Sequence, residues 1–209
     1  MDVEPVAVAR ELLGAVRDGD PTWEYEDAVA ELGADALARA LHSDERRLAF
    51  WLNVYNAYAQ LLLDRWPGEY ERSRRRFFGH EAIPVAGEWH SLDDIEHGIL
   101  RRSQSSLGLG YLPRLMPSRF ERRHRVEERD WRIHFALNCG ARSCPPIRVY
   151  EVERIDAQLD LATASYLEQE VEYDSERGVA RVPRLMLWYR GDFGGGSEIR
   201  EILQEFGCV

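Results

Sequence analysis

A chain of 209 residues suits one domain with a sizeable core, and 44% hydrophobic residues exclude a disordered chain. The 27 basic residues, every one of them arginine, stand against 37 acidic ones, for a net charge of −10. That balance argues against a nucleic-acid partner, despite arginine clusters at Arg72–Arg76 and Arg119–Arg125.

No apolar run is long enough to span a bilayer, and Met1–Asp20 lacks a signal-peptide pattern, so the expectation is a cytoplasmic protein with no membrane partner. An acidic surface without lysine suits concentrated salt, where charge repulsion is screened within roughly 3 Å at 1 M. Coding bias in a GC-rich genome accounts for it equally. Three cysteines, Cys139, Cys144 and Cys208, are too few for a disulfide framework.

In chain order, residues 5–17 predict a short amphipathic helix ending at Asp18-Gly19-Asp20, and Tyr25–Leu41 a second, alanine-rich one. Ser43-Asp44-Glu45 opens the longest helix, a capping hydroxyl followed by carboxylates, which Pro67-Gly68 stops near Trp66. Trp51, Leu52, Val54, Tyr55, Tyr58, Leu61, Leu62 and Trp66 cover more than half of its circumference, so it is largely buried. The remaining stripe (Ala49, Asn53, Asn56, Ala57, Gln60, Asp64) is poor in charge, which predicts close approach of another layer or a ligand. Buried amides need partners, so Asn53 and Asn56 should meet polar groups.

Residues 72–80 read as a loop, and Ala82–Val85 with Glu88–His90 as a hairpin turning at Ala86-Gly87. Ser91 caps a helix over Leu92–Arg101 in which Glu96 interrupts the apolar face, a costly position for an unpaired carboxylate. His97 lies within helical reach of Asp93 and Asp94. Ser103–Arg129 reads as a long irregular connection. In Trp131–Pro146, Ile133, Phe135 and Leu137 alternate with His134, Ala136 and Asn138, the period of a strand, which puts Cys139 at the mouth of a loop closed by Cys144 and Pro145-Pro146. Ile155–Glu170 predicts a helix, Val171–Tyr173 and Val179–Val182 a hairpin, and about Glu198–Phe206 a last helix. Leu185–Tyr189 fits neither template.

The fold class expected is α+β in a single domain over 1–209, a long central helix packed against a small, mostly antiparallel sheet. Four groups carry chemistry: Asn53 with Asn56, Glu96 with His97, His134, and Asn138 with Cys139 and Cys144. On a strand, Cys139 and His134 would lie roughly 16 Å apart, too far for a nucleophile and its base. His97, oriented by Asp93 or Asp94, is then the better-formed base for Cys139, and Glu96 or a helix amide the partner of His134. Glu96 could instead neutralise Arg132 or Arg101. The Cys139/Cys144 spacing allows half of a zinc site, but no second pair completes it, so no metal and no cofactor is expected.

Four blocks, FWLNVYNAY (50–58), LDDIEHGILR (92–101), RIHFALNCGARSCPP (132–146) and LWYRGDF (187–193), resemble the DUF547 family, a domain of unassigned function, over roughly 47–193. The resemblance marks Asn53, Asn56, Glu96, His97, Arg132, His134, Asn138, Cys139 and Cys144 as its residues, and implies a stand-alone, haloarchaeal-like member with neither export signal nor added coiled coil. A buried helix beside a histidine is distantly similar, by analogy only, to papain- and transglutaminase-like thiol enzymes, although those begin the helix with the nucleophile, where this chain has Asn53.

The leading expectation is a hydrolase or acyl transferase acting on an amide or ester bond of a small molecule or peptide. Cys139 is its nucleophile, His97 or His134 its base with Glu96 beside them, and Asn53, Asn56, Asn138, Arg132 and Cys144 line the binding site. The alternatives are a non-catalytic small-ligand or protein-binding domain with a buried Glu/His/Asn network, and a metal- or thiol-based sensor.

Overall fold

The structure is a computed structural model that describes residues 4–138 and 147–209; Cys139 and Cys144 lie outside the described residues. Helix α1 (Pro5–Asp18) begins where Glu4 accepts from the Ala7 amide at 2.6 Å and Pro5 needs no donor partner. It ends at Gly19, whose φ of 76° closes the last turn. The single helix expected over Tyr25–Leu41 is two, α2 (Trp23–Ala30) and α3 (Ala34–Ala40). The break has a use. The carbonyls of Val29 and Ala30 at the end of α2 accept from Ala86 and Gly87 at 3.1 and 2.9 Å. Those two residues turn the hairpin of β1 (Ile83–Val85) and β2 (Glu88–His90) with positive φ at both positions, the turn that a two-residue hairpin favours.

Helix α4 (Asp44–Arg65) runs as its sequence predicts, and thirteen of its residues are buried. Ser43 makes no capping hydrogen bond; Asp44 instead accepts from the backbone amides of Glu127 and Glu128 at 2.8–2.9 Å, tying the helix start to a distant loop. The expected loop at 72–80 is largely helical: α5 (Pro67–Arg72) and α6 (Arg74–Phe78), the latter begun by the Ser73 hydroxyl. Proline 67 both ends α4 and opens α5, because a first helical turn needs no amide from that residue.

After β2, Ser91 and Asp94 cap reciprocally, the hydroxyl donating at 2.6 Å and accepting from the Asp94 amide at 3.1 Å. The turns that follow, Asp94–Leu100, form a π-helix rather than an α-helix, with the Arg101 amide reaching back to the Glu96 carbonyl at 2.8 Å. Within the long connection, a Ser118/Glu121 capping box starts α7 (Arg119–His124). Beyond it come a 3-10 turn (Val152–Arg154), α8 (Ile155–Glu170), the hairpin β3 (Glu172–Asp174) with β4 (Val179–Arg181), α9 (Arg184–Trp188) and α10 (Gly196–Glu205).

The composition is α+β as expected, its strands confined to two antiparallel hairpins among the described residues. Helix α4 is flanked chiefly by α1, with the π-helix and α8 on other sides, so its walls are mostly helical. Around it a large apolar cluster runs from Val6 to Leu159. A smaller one joins Phe135 to Leu167, Met186, Phe193, Ile202 and Leu203, fastening the last helices to the rest. No helix is long and apolar enough to cross a membrane among the described residues.

The uncharged stripe of α4 faces backbone. Asn53 donates to the Tyr150 carbonyl at 2.8 Å and accepts from its amide at 2.9 Å; Asn56 donates to the Ala136 carbonyl at 3.1 Å and accepts from the Asn138 amide at 2.8 Å. Each amide thus copies a strand edge for a segment that has none. Asn53→Ala strands a buried donor and a buried acceptor on Tyr150, and is expected to cost about 2–4 kcal/mol. Asp64→Ala, at the exposed end of the same stripe, is expected to stay within about 0.5 kcal/mol, both read from urea unfolding at pH 7.

Candidate functional site

The segment expected as the central strand is a 3-10 turn over Trp131–Phe135, opened by Asp130, whose carboxylate accepts from the Arg132 amide at 2.9 Å. The alternation of Ile133, His134 and Phe135 arises because the segment is buried on all sides, with Ile133 in the large apolar cluster and Phe135 in the smaller one. A short, fully enclosed turn and a strand share that pattern. The extended spacing used to separate His134 from Cys139 therefore does not apply to residues 131–135. Arg132 turns outward from this point. Its guanidinium binds Asp130 at 2.6 Å and, on α8, Asp156 at 2.8 Å and Asp160 at 2.7 Å, and these carboxylates raise its pKa still further.

His134 points the other way, into a buried polar cluster assembled from four distant parts of the chain. Its Nε2 lies 2.9 Å from Oδ2 of Asp192. The same oxygen accepts from Nε of Arg101 at 2.5 Å, and Oδ1 accepts from Arg129 at 3.1 Å. Arg101, 1% exposed, also donates through Nη1 to Nδ1 of His97 at 2.8 Å. The ring of Tyr189 stacks on His134 with centroids 3.9 Å apart, lies 4.5 Å from the Arg101 guanidinium carbon, and sends its hydroxyl to Oε1 of Glu96 at 2.7 Å. Tyr55 of α4 approaches the other Glu96 oxygen at 3.4 Å. The π-helix matters here: it places Glu96, His97 and Arg101 where the first reaches Tyr189 and the other two meet.

Sequence reasoning paired these groups differently. His134 meets Asp192, not Glu96 or a helix amide; Glu96 meets two tyrosines. His97 approaches Asp93 at 3.7 Å, and Asp94 is taken up by Ser91 and Arg114. Tyr189 and Asp192 were not singled out, and Arg101 entered only as a possible partner of Glu96. Their only signal was position inside the two blocks LDDIEHGILR and LWYRGDF, because a single aspartate in a glycine-rich tail has no periodicity to betray it. That tail makes a close approach: a Cβ on Gly191 would lie 2.6 Å from the Gly110 carbonyl carbon, backbone against backbone.

Charge follows from these contacts. Burial would raise the Asp192 pKa, but the hydrogen bonds from His134 and Arg101 outweigh it and hold the carboxyl at about 2. An ionised Asp192 accepts only, so the proton of the contact sits on His134 Nε2 and Nδ1 keeps its lone pair. Burial pushes the His134 pKa down against the pull of Asp192 and Glu96, which favours the neutral ring. Burial alone would raise Glu96 too; the neighbouring His97 and His134 rings, the Tyr189 hydroxyl and Arg101 together bring it below its usual range. The Tyr189 hydroxyl is pushed upward by burial and by Glu96. Arginine can only donate, so His97 Nδ1 is the acceptor in its contact with Arg101.

Nη2 of Arg101 is buried with no acceptor among the described residues. Nearby, Asn56 and Asn53 hold Asn138 and Tyr150, on either side of the stretch that carries Cys139 and Cys144, while Gln60 donates to the Asn138 side chain at 3.3 Å. No group of three or more His, Cys, Asp or Glu side chains disposed to hold a metal occurs among the described residues.

The depressed Asp192 pKa has a direction in stability. Its contribution is complete above the unfolded value near 4 and is lost as pH falls through about 2, a difference of roughly 2 kcal/mol for a carboxyl whose side chain is 3% exposed. Asp192→Asn is expected to destabilise the fold at pH 7 and to flatten the stability curve between pH 4 and 2. Urea midpoints across that range, for both proteins, measure it.

A family model described as "Protein of unknown function, DUF547" matches residues 39–167. No curated protein and no solved structure matches this chain. The match covers more than half of the sequence and includes the long helix, the π-helix and the turn bearing His134, and the chain belongs to the DUF547 family.

Proposed function

We propose that the protein is a thiol-dependent hydrolase or acyl transferase acting on an amide or ester bond, with Cys139 as nucleophile, His134 as general base and Asp192 as the group that orients the base. The observation that carries this reading is the buried His134–Asp192 contact of 2.9 Å, five residues before Cys139 in the sequence. A neutral imidazole with Nε2–H fixed on a carboxylate and Nδ1 unprotonated is the state a general base requires. His97 fits less well, because its Nδ1 already accepts from Arg101.

In the proposed reaction Nδ1 of His134 takes the Cys139 thiol proton as sulfur attacks the carbonyl carbon. The tetrahedral intermediate expels an amine or alcohol, which leaves with the proton from His134. Water or a second acceptor then attacks the thioester by the same route and frees the thiol. Arg101 holds Asp192 through Nε, and its unpartnered Nη2 is a donor available to an oxyanion. Tyr189, stacked on His134 and anchored by Glu96, fixes the ring plane. Asn53, Asn56 and Asn138 act on this reading by holding the chain on both sides of residues 139–146.

A second reading, a non-catalytic domain whose network is structural or holds a small ligand, has its own support: the ionisable side chains of the cluster are nearly sealed and largely partnered. Iodoacetamide labelling followed by mass spectrometry separates the two, with Cys208, whose thiol pKa burial raises, as an internal control. Cys139 is expected to alkylate at least tenfold faster than Cys208 at pH 7, and His134→Ala or Asp192→Asn to remove most of that advantage while circular dichroism stays unchanged. Equal labelling of the two cysteines, indifferent to His134→Ala, would leave the second reading standing.

A further inference from the structure

The connection after the π-helix is an irregular hairpin. The Ser105 amide donates to the Leu112 carbonyl and the Arg114 amide to the Ser103 carbonyl, both at 2.8 Å, with Gln104 bridged to Pro113. Its turn is anchored on one side: Gly110 is buried, the Leu109 carbonyl accepts from Gly191 at 2.7 Å, and Arg129 links the Gly110 carbonyl to Asp192. Its rim is apolar and open. Leu107, Leu109, Tyr111 and Leu112 are exposed, and Leu115 and Met116 reach 95% and 90%. Nine other large apolar side chains are exposed, Leu187 and Trp188 among them, but no other stretch of ten described residues holds six. Six such side chains along one stretch of ten residues form a feature that water alone does not favour.

Charge decides what covers it. Of the eight arginines in residues 101–129, Arg101 and Arg129 are held by Asp192, Arg114 by Asp94 and Glu121, and Arg123 by Asp35, which leaves Arg102, Arg119, Arg122 and Arg125 as a local positive excess on a −10 chain. Arg102, Arg119 and Arg122 are exposed beside the rim and form no ion pair among the described residues. A second copy would present the same positive field to this one, so a two-fold contact through the hairpin sets like charges together. An anionic bilayer suits this end of the molecule: its headgroups attract the arginines and its interface takes the leucines and methionine, while the acidic remainder is repelled, which fixes the orientation.

We propose that the Leu107–Met116 rim is a peripheral membrane-binding loop that inserts into an anionic lipid surface, with Arg102, Arg119 and Arg122 seated on the headgroups. The proposal is independent of the chemistry assigned to Cys139.

Sedimentation of the full chain with vesicles tests it. At 50 mM salt, binding to vesicles of phosphatidylglycerol and phosphatidylcholine is expected to exceed binding to phosphatidylcholine alone at least tenfold, and to weaken as salt is raised. Leu115→Ser with Met116→Ser should reduce it at least tenfold, and Arg119→Gln and Arg122→Gln about fivefold each. Leu115→Trp should add a tryptophan emission that shifts to the blue only with the anionic vesicles. A wild-type chain left in the supernatant, or bound equally well after the Leu115 and Met116 changes, overturns the proposal. So does a dimer in light scattering that those changes dissociate, which would give the loop to a second copy.

Discussion

Everything distinctive about this structure hangs on one carboxylate. Asp192 is shut away from water, yet it is ionised because Arg101, His134 and Arg129 converge on its two oxygens. A buried charge with a single partner is a poor bargain, since desolvation of both ions cancels most of their attraction. A carboxylate with three donors is different, because its lone pairs are satisfied and each donor is held by a further contact. Through Arg101 the charge reaches His97, and through Tyr189 it is linked to Glu96 and α4. The glycines around it serve this placement: Gly191 and Gly110 let two backbones touch where a side chain on either would push the aspartate away.

The second organising element is α4, which acts less as one layer of a fold than as a post. Its aromatic side chains fill the interior, with Trp51 edge-on to Phe50 and to Phe120. Its two asparagines do backbone work. An asparagine side chain carries a donor and an acceptor at nearly the spacing of a peptide group, so it can pair with passing chain as a strand would. Asn56 and Asn53 do so on the two sides of residues 139–146. In a protein with so few strands, this is how irregular backbone is satisfied at depth.

The exclusive use of arginine also has a structural consequence. Arg132 spreads over three carboxylates, Arg47 over Asp44 and Glu127, and Arg114 over Asp94 and Glu121. A planar guanidinium with five donors can bridge in this way, and an ammonium on a flexible stem cannot do so with equal order. The exposed pairs contribute little each. Arg101 is the exception, because among the described arginines it is the one held inside.

The sequence by itself determined the long buried helix, its boundaries and its polar stripe, the first hairpin, α8, and the α+β class, because each rests on a local period or a turn residue that neighbours in sequence supply. It also singled out Glu96, His97 and His134, three side chains that the fold brings into one buried polar cluster. It misread Ile133–Asn138 as a strand where Trp131–Phe135 coils into a 3-10 turn, since enclosure gives the same apolar and polar alternation whether the chain is extended or coiled, and it ran α2 into α3 because the hairpin whose amides hold the end of α2 lies more than fifty residues away. Only the tertiary structure decided which partner each ionisable side chain takes. Asp192 stands 58 residues from His134 and 91 from Arg101, and no pattern along a chain records a contact made by folding.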